Sequence, residues 1–172
     1  MLHFYLLRNY QTGMSVVIKN LQKNAVLNIW LVRKDIHLLR SIMGLHSFDV
    51  GLIFLSRRRM KQLNYKYREK EESTDILSFP FHNTLFGKGS SDLNIEELNL
   101  GDIFLCPETI KSKYTIDDDE LRKILVPLIT HGLCHLCGYV HDTDKQWMRM
   151  NEKETEILRL FSEKTKRKFV PL

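Results

Sequence analysis

Three histidines in one short segment constrain this chain more than any other feature. Residues 131–142 have the sequence HGLCHLCGYVHD, which places His131 and His135 four residues apart and His141 shortly after them. On a helix, residues separated by four project from one face, one turn apart. Gly138 can adopt the left-handed conformation that ends a helix, which allows the chain to turn back and bring His141 to the other two. The spacing therefore predicts a metal centre.

Zinc is the metal that this donor set favours. Three neutral imidazoles at about 2.0–2.1 Å from one Zn²⁺ leave the fourth tetrahedral position open, as in catalytic zinc sites. A water in that position has its pKa lowered to about 7. The alternative is that these are ordinary histidines of a buried helix. Three of the seven histidines stand within eleven residues, so we predict one zinc ion, used for hydrolysis.

The histidine spacing resembles that of the metzincin proteases, His-Glu-x-x-His-x-x-Gly-x-x-His. The three histidines and Gly138 occupy the same offsets, but Gly132 stands where those proteases carry a glutamate. That glutamate is their general base. Peptide hydrolysis by this mechanism is therefore disfavoured, and the proton acceptor is unassigned.

The three cysteines are too few for a secreted disulfide framework and indicate a reducing compartment. Cys134 and Cys137 have a Cys-x-x-Cys spacing, but a zinc site of that type needs a second pair, and Cys106 is the one other cysteine. If both are helical, Cys137 should point into the core and Cys134 should lie nearer to the metal face. We expect both thiols to pack rather than to bind metal.

The hydrophobic periodicity predicts strands mixed with helices in irregular order. This order indicates a single α+β domain with a small mixed sheet of about four strands packed with about five helices, one of which carries the histidines. Pro127 should kink that helix. No apolar run approaches the roughly 20 residues that cross a bilayer. Strands are expected at 15–21, 48–54, 74–81 and 100–105, helices at 31–43, 57–67, about 117–138 and 144–163, and a long loop at 82–99.

The charge is divided unevenly along the chain. Residues 1–70 contain 13 Lys and Arg residues and three acidic ones, whereas residues 71–172 contain 13 basic and 18 acidic residues. A basic half suggests a polyanionic partner such as nucleic acid, although a solvated basic surface explains the charge equally well. The same alternatives apply to Arg57, Arg58 and Arg59, which could grip an RNA backbone in a salt-dependent way.

Several further segments match one known family. They are Thr74 to Pro80 (TDILSFP), Leu63-Asn64, Tyr67-Arg68, Leu100 to Ile103 and the MSVVIKNLQ segment that begins at Met14. With the histidine segment, these resemble the YbeY family of rRNA-maturation endoribonucleases, whose signature is close to His-Gly-x-Leu-His-Leu-x-Gly-Tyr-Asp-His. Cys134 and Val140 depart from that signature, and Asp142 could replace the missing aspartate in supporting the ligands.

The resemblance implies a zinc-dependent endoribonuclease that cleaves single-stranded RNA in rRNA maturation and small ribosomal subunit assembly. Its implied partners are precursor rRNA and small-subunit proteins. The family's arginine corresponds to Arg68, and a guanidinium can stabilise charge on phosphoryl oxygens. Without the resemblance, Arg68 would be interpreted as a surface arginine of a basic helix. A second hypothesis is an RNA-binding assembly factor with a mainly structural zinc; a metalloprotease is third.

The ends of the chain differ in composition from the domain between them. No acidic residue precedes Asp35, and residues 1–13 combine apolar residues with Arg8. This composition is compatible with a mitochondrial targeting segment, or with an extension upstream of a start at Met14. We predict an extension at 1–13, the metallohydrolase domain at 14–163 and a basic tail at 164–172. The location is predicted to be mitochondrial, with the cytoplasm as the alternative.

Overall fold

The computed structural model of the chain describes residues 15–82 and 98–172. The predicted extension at 1–13 and most of the predicted loop at 82–99 lie outside these ranges. The described elements are the strands β1 (Val16–Leu21), β2 (Asp49–Leu55), β3 (Ile76–Pro80) and β4 (Asn99–Leu105), and the helices α1 (Ile29–Ile42), α2 (Arg57–Arg68), α3 (Pro107–Tyr114), α4 (Asp118–Leu136) and α5 (Asp144–Thr165).

The strands form one mixed sheet in the order β1-β2-β4-β3. β1 and β4 pair with β2 in parallel, and β3 pairs with β4 in antiparallel orientation. This mixed sheet, with five helices in the described part of the chain, confirms the predicted α+β class. β3 is an edge strand, and α4 packs against it. The histidine-bearing helix therefore lies against the β3 side of the sheet.

Side chains that alternate along the strands separate two apolar layers. On one face, Leu52, Phe54 and Ile103 join the large core that includes residues of α1, α4 and α5. On the other face, a smaller cluster combines Met60 and Leu63 of α2 with residues of the sheet. The sheet thus holds α2 on the face opposite to α4.

Asp75 anchors the chain immediately before β3. The carboxylate is buried and accepts hydrogen bonds from the Lys113 ammonium at 2.7 Å, from the Thr74 hydroxyl at 3.1 Å and from the backbone N–H of Ile76. Burial alone would raise the pKa of Asp75, but the hydrogen bond and charge of Lys113 outweigh it and lower that pKa. Asp75 is therefore ionised at neutral pH and fixes the start of β3 against α3.

α4 is one continuous helix, and it runs through Pro127. Its first turn is capped by the side chain of Asp117, which accepts a hydrogen bond from the backbone N–H of Glu120 at 3.0 Å. The kink expected at Pro127 stays a prediction.

The predicted basic tail is partly packed against α5. Its residue Phe169 is buried against Phe161, with ring centroids 5.2 Å apart.

Candidate metal centre

The last two turns of α4 and the segment after it bring the three predicted ligands together. His131 and His135 lie on consecutive turns of α4, and Gly138 follows the helix with φ +94°, in the left-handed region. The next helix is fixed by a capping box between Thr143 and Gln146. Because both ends of residues 137–143 are held, His141 is returned towards the helix, as the spacing predicted.

The three imidazoles converge closely enough to share one ion. One nitrogen from each ring lies within 4.8 Å of the other two, and the ring centroids are 4.5 to 5.5 Å apart. Zinc at about 2.0–2.1 Å from each nitrogen requires ligand atoms about 3.3 Å apart in tetrahedral geometry. The observed spacing is compatible with this value, because the Nε2 atoms of His131 and His135 are 3.0 Å apart and all three ligand atoms lie within 4.8 Å of one another.

Hydrogen bonds at the far sides of two rings fix which nitrogens can bind a metal. His131 Nδ1 lies 2.8 Å from the Glu154 carboxylate, and His135 Nδ1 lies 2.9 Å from the carbonyl oxygen of Tyr139. Both partners are acceptors, so Nδ1 donates and carries the hydrogen in each neutral ring. When both rings are neutral in this tautomer, their Nε2 lone pairs face each other across 3.0 Å and repel. A cation between them removes this repulsion, so the residues fit a metal.

His135 is neutral at physiological pH. Burial, reinforced by the neighbouring His131, lowers the pKa of His135 to about 4. The hydrogen bond to Tyr139 opposes this shift, whereas the positive charge of Arg68 adds to it. A neutral imidazole is the form that coordinates metals. The role of Arg68 that the sequence resemblance implied stays a prediction.

Glu154 supports the site, and the sequence analysis did not find it. It is a largely buried acid on α5, and its carboxylate orients His131 through the 2.8 Å contact. Asp142, which was expected to take this supporting role, is exposed. A recognisable signal was present, because Glu154 stands four residues after Met150 and four before Leu158 on the apolar face of α5. An acid at such a position needs a partner inside the fold.

Gly132 is required by packing. An ideal Cβ at this position would lie 2.8 Å from Cδ1 of Ile103 on β4, and two further carbons of the same side chain lie within 3.2 Å. A side chain at 132 would therefore point into the sheet. A glutamate, the base of the proteases with similar spacing, has no room there unless α4 moves away from β4.

The cysteines do not join the histidines. Cys134 is fully buried and Cys137 is only partly buried, which is the reverse of the expected arrangement. Since α4 ends at Leu136, Cys137 occupies the cap and the helical projection does not apply to it. Burial raises the pKa of the Cys137 thiol to about 11, and burial with the charge of Glu154 raises that of Cys134 further. Both stay protonated and pack, as expected.

The predicted arginines occupy opposite ends of α2. Arg68 is the last residue of the helix, whereas Arg57, Arg58 and Arg59 form its exposed first turn. A helix rises 1.5 Å per residue, so about 15 Å separates the two groups along the axis. Arg57 is also tied to α3, because its guanidinium donates to the carbonyl oxygen of Glu108 at 3.3 Å. The first turn therefore does not contribute directly to the histidine cluster.

Together, the fold and the site define an α+β protein with a candidate three-histidine metal centre on the helix that packs against β3. The sequence profile described as endoribonuclease YbeY matches residues 10–162. The chain belongs to this family of RNA-cleaving enzymes. A human protein named endoribonuclease YbeY is 36% identical over 160 residues, which cover 92% of this chain and 95% of the relative.

Bacterial relatives and one solved structure are also similar. The endoribonuclease YbeY of Acetivibrio thermocellus is 32% identical over 119 residues, covering 66% of this chain and 74% of the relative. That of Clostridioides difficile is 35% identical over 112 residues, covering 65% and 71%. A solution structure of a Thermotoga maritima protein has a TM-score of 0.50 at 20% identity, covering 87% of this chain and 93% of that one, which supports the fold alone. No helix among the described residues is long and apolar enough to cross a membrane.

Removing the charge of Glu154 should weaken metal binding. We expect Glu154→Gln to raise the dissociation constant for Zn²⁺ by about 10-fold, because residues that orient a metal-bound histidine typically contribute 10- to 100-fold to affinity. Glu154→Ala, which also removes the acceptor, should have the larger effect. Competition with a chromogenic chelator measures both. Glu156→Gln is the matched control, since Glu156 is exposed on the same helix and pairs with Lys153. Unchanged affinity in both Glu154 variants would show that the contact is dispensable.

Proposed function

We propose that this protein is a zinc-dependent, single-strand-specific endoribonuclease that acts in rRNA maturation and small ribosomal subunit assembly. One observation carries the proposal: the Nε2 lone pairs of His131 and His135 face each other at 3.0 Å while both Nδ1 atoms are occupied by acceptors. Membership of the endoribonuclease YbeY family supplies the substrate class. Precursor rRNA and small-subunit proteins are the proposed partners.

In this proposal, some residues of the site hold the metal and others bind the phosphate. His131, His135 and His141 hold Zn²⁺, which when bound supplies Lewis acidity and an acidified water ligand. Glu154 and the Tyr139 carbonyl keep the two helical imidazoles in the tautomer that binds metal. Arg68 is the proposed catalytic residue, because a guanidinium can donate two hydrogen bonds to a phosphate and stabilise charge that develops on its oxygens.

Arg57, Arg58 and Arg59 are proposed to contact the RNA backbone away from the scissile bond. All three are exposed in the first turn of α2, on the helix that ends in Arg68. Contacts of this type are electrostatic and weaken as salt concentration rises. They extend the proposed RNA path along α2 without contributing to the chemistry.

The test combines metal analysis with RNA cleavage by the full chain. We expect about one zinc per chain by elemental mass spectrometry, and cleavage of single-stranded but not of duplex RNA oligonucleotides. A single 2′-deoxy substitution at the scissile nucleotide distinguishes two routes: cleavage survives if water attacks, and stops if the RNA 2′-OH attacks. A protein that binds no zinc, or that does not cut any RNA, would contradict the proposal.

A second candidate is an RNA-binding assembly factor in which the zinc is mainly structural. The observation that favours it is Gly132, since the position that carries the general base in proteases of similar spacing holds a glycine here, packed closely against Ile103. Under this alternative, removing a ligand lowers folding stability more than turnover.

A mitochondrial location is proposed for the chain, with the cytoplasm as the alternative. The composition of residues 1–34, which contain no acidic residue, supports the mitochondrial form. In this proposal, residues 1–13 are the targeting extension, residues 14–163 the metallohydrolase domain and residues 164–172 a basic tail.

A further inference from the structure

Tyr67 is an exposed aromatic residue whose ring packs against a partly buried phenylalanine. It lies in the last turn of α2, and 43% of it is exposed to solvent. Its ring packs edge-on against Phe79, with centroids 4.8 Å apart at an interplanar angle of 64°. Phe79 in turn packs edge-on against the buried Phe104 at 5.5 Å. A chain of three rings therefore connects the core beneath α2 to the surface and fixes the orientation of Tyr67.

The supporting ring lies on the part of β3 and β4 that also contacts α4. Phe79 follows Ser78 on β3, and Ser78 pairs with Ile103 on β4. On the other face of the sheet, the side chain of Ile103 packs against Gly132, the residue after His131. Tyr67 and the histidine-bearing helix thus flank the same stretch of β3 and β4 from opposite faces.

The surroundings of Tyr67 are those of a nucleic-acid contact. The Lys66 ammonium lies 5.5 Å from the centroid of the Tyr67 ring, and the Arg68 side chain follows on the other side in sequence. Proteins that bind single strands combine cationic side chains for the backbone with aromatic rings on which bases stack. A ring that is already immobilised loses little side-chain entropy when a base stacks on it.

We propose that Tyr67 stacks on one nucleobase of the single-stranded RNA and thereby positions the neighbouring phosphodiester at the His131–His135–His141 centre. Tyr67 is then a positioning residue, which acts through the substrate and not on the reacting atoms. This inference rests on the proposed endoribonuclease function. It adds a reason for single-strand specificity, because a base within a duplex is already stacked and paired and cannot cover the tyrosine ring.

Substitution of Tyr67 tests the inference. We expect Tyr67→Ala to raise KM and the dissociation constant for a single-stranded oligonucleotide by about 10-fold, the usual effect of losing one base–aromatic stack. The turnover number kcat should change less than KM. Tyr67→Phe and Tyr67→Trp keep an aromatic face and should bind like the wild type. Tyr65→Ala is the matched control, because Tyr65 is an exposed tyrosine on the same helix and lies outside the series of ring contacts that joins Tyr67, Phe79 and Phe104.

An abasic scan separates stacking from a structural role of the tyrosine. One nucleotide at a time is replaced by an abasic residue, and binding is measured by fluorescence anisotropy with wild type and Tyr67→Ala. At the stacked position, the abasic change should weaken binding to the wild type and leave binding to Tyr67→Ala unaltered. If an abasic residue at every position weakened binding to Tyr67→Ala as much as it weakens binding to the wild type, the inference would be overturned. The same conclusion would follow if Tyr67→Phe bound the oligonucleotide as weakly as Tyr67→Ala.

The two proposals fail in different ways. A wild type that binds single-stranded RNA without cutting it would contradict the endoribonuclease function, while the anisotropy measurement still tests the stack. A wild type that cuts RNA, with Tyr67→Ala equal to it in KM and affinity, would overturn the stacking inference alone. If Tyr67→Ala unfolds more readily than the wild type, Tyr67→Leu, which fills space without a π face, replaces it in both measurements.

Discussion

Replacing His141 by alanine is expected to remove the bound metal and to lower RNA cleavage by at least about 10³-fold. Two imidazoles on consecutive turns of α4 cannot complete a site that requires three protein ligands. A metal Lewis acid contributes several kcal/mol to stabilising the transition state, and each 1.36 kcal/mol is a factor of ten in rate. His141 is the best position for this test because it is exposed, so truncation disturbs little packing. Zinc content and single-turnover cleavage are the two measurements.

The control for this experiment is His37→Ala, which removes an exposed imidazole from α1. It should retain zinc and activity. Thermal unfolding of His141→Ala then separates a catalytic zinc from a structural one. If the zinc is catalytic, we expect a large loss of turnover and a modest change in the unfolding midpoint. If the zinc is structural, we expect a large fall in the unfolding midpoint and a smaller loss of turnover. Full cleavage by a folded, zinc-free His141→Ala protein would remove the metal from the proposed chemistry.

His131→Ala should give the same loss of metal with a greater effect on folding. His131 is partly buried, and its loss would leave the largely buried Glu154 carboxylate without the imidazole that it contacts at 2.8 Å. An ionised carboxylate that is left buried without its partner destabilises the folded state. Comparing His131→Ala with the double variant His131→Ala/Glu154→Gln separates this electrostatic cost from the loss of the ligand.

The ligand-bearing end of α4 was predictable because its signals are local. The four-residue spacing of His131 and His135 and the left-handed Gly138 fall within one short segment, and helix geometry alone relates them. The alternation in β2 and the apolar stripes of α1 and α2 are equally local, so the main strands and helices were predicted within a few residues. The strand order of the sheet was not predicted, since pairing depends on contacts between distant segments.

The features that sequence analysis missed are short or depend on distant contacts. α3 spans only eight residues, in which Ile110 and Pro107 are the buried ones, too few to establish a helical period. Its one signal is the proline in the first turn, a position that favours helix initiation. Glu154 lies 23 residues from His131, and only the packing of α5 on α4 brings the two together. The inward direction of Gly132 likewise depends on how closely α4 approaches Ile103.

The proposed role of Arg68 needs a direct test, because Arg68 belongs to a different element from the histidines. It ends α2, on the face of the sheet opposite to α4. Its positive charge makes a small contribution to the lowered pKa of His135, after burial and the neighbouring His131 and His141. A positive charge attracts an anionic phosphate.

We expect Arg68→Ala to lower kcat for single-stranded RNA by about 10²- to 10³-fold while zinc content is unchanged. Removing one donor that stabilises transition-state charge has an effect of this size, and it acts on kcat because the charge develops only during reaction. Arg68→Lys keeps the charge but loses the two-pronged donor geometry, so its rate should fall between those of Arg68→Ala and the wild type.

Arg159→Ala is the matched control, because Arg159 is an exposed arginine on α5 that pairs with Glu163. This variant changes the net charge equally and should cleave RNA like the wild type. Two outcomes would contradict the catalytic role of Arg68. If Arg68→Ala raised KM with kcat unchanged, Arg68 would only bind RNA. If Arg68→Ala also lost zinc, its effect on the rate would act through the histidines and not through the phosphate.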